Sequence, residues 1–539
     1  MSQYYSNATT TDFNVLSGWG INTDGTGANP AQFATHDFTQ KHAKTLSAAV
    51  SVNGFKLDSG FTLTGAGFKI TTTGELGGRA IYLDGTVSGF LDLEIQTNTT
   101  TIVNAGSKAR DITINHTDCI ALWEGNHTFR NITVTLGKFE PETGITDTLT
   151  ATGDVSVTET LGIATWTGAA TFGSLTINSG GTYNATSGTT TINDRNATSG
   201  KSFDNSGTFT HNNGLLHFLD TSAANTDYDF GSDSIYDIKV ERRAASGAVN
   251  FDGAGGSGAV TVLRDLDIVY GKLRTNAQIW TVYGNVYIRE SSYTNKNKFV
   301  AQNTNQTVNG IVTIETGAFY DLANEGTGAG GVLTTGGVRN AGGTFAPGTG
   351  GSITCSGTGG ILEGDLGTAA ITVNQDAVYA TDATNNGTSN YISATHTVPT
   401  STDFSISFWA RTDSSFPRNV NDYGYPIGNG GGGGGAGFGC LWDTSVNYQR
   451  FQMYPSSGST LDVYFCGSNS GTGAGSTQIS QNAGFSGGWN HYAVTADRDG
   501  DMLSYFNGVQ SDRVTISGST GTIVAVSYTH LRAHETPEH

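Results

Sequence analysis

Asp92-Leu93-Glu94-Ile95 and Asp111-Ile112-Thr113-Ile114 share one pattern: a small polar residue, an aliphatic, any residue, an aliphatic. It returns at Asn131-Ile132-Thr133-Val134, Asp154-Val155-Ser156-Val157 and Ser174-Leu175-Thr176-Ile177. Later copies are Asp237-Ile238-Lys239-Val240, Asp265-Leu266-Asp267-Ile268 and Asn285-Val286-Tyr287-Ile288. Successive starts are separated by 19, 20, 23, 20, 63, 28 and 20 residues. The long gap is close to three periods of about 21. Each copy alternates apolar and polar residues, which is the mark of a short strand with one buried face. Short strands at a fixed period point to a β-solenoid, in which no coil can bury its apolar face alone. At about 4.8 Å per coil, the span 90–372 predicts about 13 coils and a rod of about 60 Å. Separate sandwiches built from hairpins are the alternative, and the regular period favours the solenoid.

A second signature follows some of these strands. Gly180-Gly181-Thr182-Tyr183, Gly207-Thr208-Phe209, Gly317-Ala318-Phe319 and Gly343-Thr344-Phe345 each place an aromatic just after a glycine. Glycine supplies positive φ at a corner, and the aromatic is expected to plug the core beneath it.

Composition supports this reading. Of 539 residues 76 are Gly and only 8 are Pro, which excludes collagen because collagen needs abundant Pro. With Gly, Ser, Thr and Asn dominant, long helices are excluded as well. The formal charge of −19 argues against nucleic acid and anionic membrane as partners. No apolar run reaches the roughly 20 residues of a membrane helix, so membrane insertion is not expected. Cys119, Cys355, Cys440 and Cys466 are too scattered for a disulfide framework or a zinc site. Only Cys440 and Cys466 are near enough in sequence to suggest one bridge. The opening MSQYYSNATTTDF lacks the basic and apolar regions of a secretory signal.

Four segments are expected. Residues 1–60 form an N-terminal cap or attachment region that holds Trp19 and a helix-tolerant stretch, His42 to Ala49. Residues 61–372 form the solenoid, and 373–526 a second domain of different texture. The tail 527–539, SYTHLRAHETPEH, resembles a translated sequencing-adapter read-through and is expected to be foreign to the fold.

In the second domain, Phe404-Ser405-Ile406-Ser407-Phe408-Trp409 alternates strongly. Trp489-Asn490-His491-Tyr492-Ala493-Val494 follows, then the turn Arg498-Asp499-Gly500-Asp501 and a return strand from Met502 to Val509. These motifs, in this order, resemble the laminin-G-like, concanavalin A-like jelly-roll family. The resemblance covers about 150 residues. It implies a two-sheet β-sandwich that binds glycans or proteins, sometimes with calcium, and that would lack its closing strand if the tail is foreign. Some relatives hydrolyse polysaccharides through paired carboxylates on one strand. No E-x-D-x-x-E strand occurs here, which disfavours that branch. The expected fold is all-β: a parallel β-solenoid (β-helix) followed by a concanavalin A-like β-sandwich.

Three groups of residues are candidates for chemistry. Asp497, Asp499 and Asp501 alternate before and after Gly500 and could supply hard oxygen ligands to calcium, although the same residues suit an ordinary polar turn. No other cofactor is expected. His116, Asp118, Glu124 and His127 fall around one coil, and Thr117 to Leu122 is similar to a coil of pectin-degrading β-helix enzymes. Those enzymes use paired aspartates and a G-H-G segment. Thr117 stands where the first aspartate would be, and no G-H-G occurs, so only Asp118 and Glu124 could pair. Tyr423, Tyr425 and Trp442 flank the run Gly430 to Gly435 and are natural stacking platforms for sugars. Asn7, Asn126 and Asn131 lie in N-x-S/T triplets, which arise by chance in so Thr- and Asn-rich a chain.

These features lead to one expectation: a non-enzymatic virion-surface or tail-fibre protein whose head binds a host surface glycan or protein. Its other partners would be virion proteins, and the fibre analogy leads to a homotrimer. A polysaccharide-degrading tailspike and a bacterial surface adhesin are the rivals.

Overall fold

The structure is a computed structural model. It describes residues 2–373 except 143–145, 220–225, 242–249, 254–258, 291–296, 326–327, 357–360 and 368. Beyond 373 it describes Tyr379–Ala383, the strands named below and the residues 497, 500 and 507–508. Side chains there are described at 405, 491, 493–497 and 500–515. The chain forms two compact units, Met1–Trp280 and Thr281–His539.

In the first unit the chain winds repeatedly through three parallel ladders, sides A, B and C. On side B, Lys69–Thr72 pairs with Asp92–Ile95, which pairs with the first half of Asp111–Trp123. That half pairs in turn with the first half of Asn131–Pro141. The second halves of the two long strands bend onto side A, where Ile120 pairs with Lys138 and Trp123 with Pro141. Side C then receives His127–Phe129, Leu149–Ala151 and Ala170–Phe172. The parallel winding reaches the start of the unit, where Gln3–Ser6 pairs in parallel with Asp37–Gln40.

The core follows from the register. Ile70, Leu93, Ile112, Ile132, Val155 and Leu175 stand in one stacked column on side B and are at most 1% exposed. Each such side chain contributes about 1.5–3 kcal/mol by leaving water, and each reaches that burial only because a neighbouring coil covers it. Local alternation and global stacking therefore agree.

The 63-residue gap in the repeat is not three equal coils. Ser174–Ile177 lies on side B, and its neighbour there is Lys201–Asn205: Leu175 pairs with Phe203, 28 residues on. Asp237–Glu241 lies on side C instead, paired with Leu215–Phe218 and through it with Thr189–Ile192. The motif changes sides because it solves a problem common to two corners. On side B the Asp111 carboxylate accepts the Asn131 N–H at 3.1 Å, and the Asn131 side-chain oxygen accepts the Asp154 N–H at 2.9 Å. On side C the Asp237 carboxylate accepts the Asp265 N–H at 3.0 Å. The small polar residue satisfies a backbone donor of the next coil, which would otherwise be stranded at the bend.

The aromatic after a corner glycine is buried at Tyr183, Phe209 and Phe345. The copy at Phe319 differs. There the positive-φ glycine is Gly317, and the core aromatic stands three residues after it, as Tyr183 does after Gly180 and Phe345 after Gly342. Tyr320 therefore enters the core and Phe319 faces outward beneath the Lys298 ammonium, 4.9 Å from the ring centre. In the second unit Phe299, Tyr320 and Phe345 stack on successive strands, with ring centres 4.9 and 5.7 Å apart and planes within 18°.

The helix-tolerant stretch from His42 to Ala49 is not helical; Lys44–Thr45 is a short strand paired with Leu63 and Thr64. Among the described residues the one helical element is the 3-10 turn Leu16–Gly18. Trp19 is fully buried, edge-on to Phe13 and Phe38.

The second unit begins with further coils, in which Gln306–Glu315 pairs in parallel with Val332–Ala341 and the latter with Ser352–Cys355. It also contains two four-stranded antiparallel sheets. One has the order Phe404–Arg411, Trp489–Ala496, Asp501–Phe506, Val509–Thr515; the other runs Cys440–Asp443, Arg450–Ser457, Thr460–Cys466, Ser476–Asn482. The return strand expected to run to Val509 ends at Phe506. Asn507 and Gly508 adopt φ of 51° and 80°, and Phe506 pairs with Val509. An Asn-Gly pair with both residues in that region is a favoured two-residue hairpin turn, so a third strand follows.

Register also corrects the suggested bridge between Cys440 and Cys466. Cys440 pairs with Gln452, and Gln452 pairs with Tyr464. A whole strand therefore separates the two cysteines, so their Cα atoms are about 9.6 Å apart or more, beyond the reach of a disulfide. His530–Leu531, within the tail expected to be foreign, pairs antiparallel with Ile392–Ala394.

Candidate functional site

The corners before the side-B strands that begin at Asp111 and Asn131 carry a zipper of ions. Arg110 Nε donates to Asp92 at 2.8 Å, and Arg130 Nε donates to Asp111 at 2.9 Å. Arg110 also lies over the Phe90 ring, 5.0 Å from its centre. Each arginine follows the last coil's aspartate around the bend, so these carboxylates are structural fixtures with their oxygens already engaged.

The coil with the candidate acid–base residues is built the same way. His116 and Asp118 lie at the outer bend between sides B and A, where His116 Nδ1 accepts the Asp118 backbone N–H at 3.2 Å. Glu124 lies past the end of that strand, ion-paired with Arg79 and accepting from Asn104 at 3.1 Å. The Arg79 hydrogen bond holds its carboxyl below the usual range. A general acid needs the opposite shift, toward a protonated carboxyl at neutral pH. The structure thus pairs Glu124 with Arg79 as an anion at neutral pH and gives Asp118 no free carboxyl partner among these four residues.

His127 turns inward and is 1% exposed. Its Nε2 accepts the Ala105 N–H at 3.0 Å, and its Nδ1–H donates to the Gly125 carbonyl at 3.0 Å. Acceptance at Nε2 requires the neutral ring. Burial pushes its pKa below the ordinary 6.5, against the opposing pull of Asp147 and Glu124. A lowered histidine pKa means that the unfolded chain binds the proton better. The neutral ring costs nothing above pH 6.5, and stability falls as the pH drops below it. We expect unfolding in urea to become easier from pH 7 to pH 5, and His127→Gln, which keeps an acceptor for Ala105, to flatten that dependence. Equal slopes in the two proteins would remove His127 as the cause.

Cys119 and Cys355 are free and buried. Burial pushes the Cys355 thiol up to about 12, so it is no nucleophile.

At the suggested calcium turn, Asp501 has both oxygens engaged. Oδ2 accepts from Arg513 Nε at 2.7 Å, and Oδ1 accepts from the Thr515 hydroxyl at 2.8 Å. Those bonds, Thr515 first, hold its carboxyl below the usual range. Asp497 is exposed at the turn, where the Gly500 N–H donates to its carbonyl at 3.0 Å. Asp499 lies outside the described residues. A calcium ion here would have to take Asp501 from Arg513. No group of three or more metal-ligating side chains occurs among the described residues.

Tyr423 and Tyr425 lie outside the described residues. Trp442 is placed on the edge strand Cys440–Asp443, in register with Phe451.

The sequence reading passed over one aromatic pair. Phe68 and Phe90 follow the positive-φ residues Gly67 and Gly89, yet they are 37% and 62% exposed. Each directly follows its glycine, whereas the core plugs Tyr183, Phe209 and Phe345 stand two residues after Gly181, Gly207 and Gly343. The sequence does not show that the Gly67 N–H binds the Phe90 carbonyl at 2.8 Å, so that here the corner turns its aromatics outward.

Residues 386–530 match the family model described as the concanavalin A-like lectin/glucanases superfamily, of laminin-G type. The chain is therefore all-β, with parallel β-solenoid coils followed by a concanavalin A-like sandwich domain. No curated protein and no solved structure matches the chain. No helix among the described residues is long and apolar enough to cross a membrane.

Proposed function

We propose that the chain displays a glycan-binding domain on a solenoid support, and that it acts as a non-enzymatic attachment protein of a virion surface or tail fibre. The observation that carries this reading is the lectin/glucanase-type match at residues 386–530, C-terminal to the parallel coils. The engaged state of Glu124 favours binding over hydrolysis, since its carboxyl is held ionised by Arg79. Tyr423, Tyr425 and Trp442 are the proposed stacking platform, because sugar rings present C–H faces to aromatic rings. The proposed ligand is a surface glycan of the host, the proposed assembly a homotrimer, and calcium at Asp497, Asp499 and Asp501 an accessory that stiffens the turn.

The test is a glycan array probed with the full chain, followed by a reducing-end assay on every polysaccharide that binds. Saturable binding without new reducing ends is the expected result. Steady release of reducing ends would move the protein to the hydrolases. Light scattering of the purified chain reads the trimer, and calcium titration by calorimetry reads the ion.

A further inference from the structure

The first coil of a solenoid presents unpaired N–H and C=O groups, a template for any strand that arrives. Here residues 7–20 lie across that end. Trp19–Gly20 pairs antiparallel with Tyr5 and Ser6 and covers side A. Thr11 and Phe13 cover side C: the Thr45 N–H donates to Thr11 at 2.8 Å, and the Phe13 N–H donates to Thr45 at 2.9 Å. The strap is fastened from beneath by a lysine. Lys44 is 1% exposed, and its Nζ donates to the carbonyls of Thr10 at 2.5 Å and Asn7 at 3.0 Å. The ammonium also lies 5.7 Å from the centre of the Trp19 ring. On the outer side, Ser47 donates through its hydroxyl to Asp12 at 2.8 Å and through its N–H to Asn14 at 3.0 Å.

A buried ammonium is costly unless its donors are met. A leucine or methionine would fill the same space beneath a strap with no such cost, but it would leave two strap carbonyls without a donor. Lys44 therefore fastens the strap directly: closing it exchanges the water around the ammonium for the carbonyls of Thr10 and Asn7, and those carbonyls lose their donor if the side chain is replaced. We infer that residues 7–20 are a stopper that keeps a second copy of this chain from adding its strands to the first coil, and that Lys44 is the clasp that holds the stopper shut.

The inference is independent of the glycan-binding proposal, and its test needs no ligand. In the full chain, Lys44→Met is expected to raise amide exchange of Thr11, Phe13 and Thr45 at least tenfold. It is also expected to produce species heavier than the wild-type particle in light scattering, growing with protein concentration. Lys44→Arg, which keeps the donors, is expected to stay closer to wild type. Should Lys44→Met fail to fold, the outer pair Asn14→Ala and Ser47→Ala loosens the same strap from outside and decides the matter. Wild-type exchange in the strap of a folded Lys44→Met protein would overturn the clasp. Raised exchange with an unchanged particle mass at all concentrations, in either variant, would overturn the stopper.

Discussion

Trp123→Ala is expected to cost about 3–5 kcal/mol, the usual range for removing a fully buried large aromatic. Trp123 is 0% exposed and fixes three parts of the core at once. Its ring meets Phe139 of the next coil edge-on at 4.8 Å and Trp166 of the coil beyond at 5.3 Å. Because each coil leans on the few coils nearest it, the damage should be local before it is global. Amide exchange in Asp111–Trp123 and Asn131–Pro141 should rise first, before any change at Gln3–Ser6. Trp123→Phe keeps a ring and sheds an indole N–H that has no hydrogen-bond partner among the described residues. It should cost about 1–2 kcal/mol. If the alanine variant unfolds in urea at the wild-type midpoint, the stacked core is misplaced.

Gly137→Ala should be almost as damaging for a different reason. Gly137 has φ of 84°, and a Cβ there would lie 2.4 Å from the His116 carbonyl oxygen and 2.5 Å from that of Cys119. The two obstacles are backbone of the preceding coil and cannot swing aside. Left-handed strain of about 1–2 kcal/mol adds to overpacking of about 1–3 kcal/mol, for a total near 3–4 kcal/mol. Gly125 separates the two terms: its φ is 80°, but an added Cβ meets nothing within 4 Å. Gly125→Ala should therefore show the strain alone. Equal urea midpoints for the two variants would mean that the bend at Gly137 is not packed against the coil before it.

The solenoid was legible because its signal is local and repeated. In Asp92-Leu93-Glu94-Ile95 the alternation, the polar starter and the period all point to one solution, and the stacked column from Ile70 to Leu175 confirms it. The change of side between Ser174 and Asp237 was not legible. Asp111 and Asp237 do the same work at two different corners, so their motifs read alike. The hairpin at Asn507-Gly508 is legible in its Asn-Gly pair, although the return strand expected from the sequence runs on to Val509. The fates of Glu124 and Asp501 were hidden for a physical reason. Their partners, Arg79 and Arg513, lie 45 and 12 residues away, and only the register of coils and hairpins brings them together. Outward Phe90 directly follows its glycine and inward Phe209 stands two residues after Gly207, a one-residue difference whose outcome depends on how the neighbouring coil bonds the corner.

Glycan binding by three full-length proteins compared side by side tests the division of labour most directly: wild type, a head variant with Tyr423→Ala, Tyr425→Ala and Trp442→Ala, and a solenoid variant with Asp118→Ala and Glu124→Ala. Calorimetry against the best ligand from the array should show at least a tenfold loss of affinity for the head variant, equivalent to about 1.4 kcal/mol or more. The solenoid variant should bind as wild type does. Loss of binding in the solenoid variant, with the head variant unchanged, would place recognition on the coils and contradict the account.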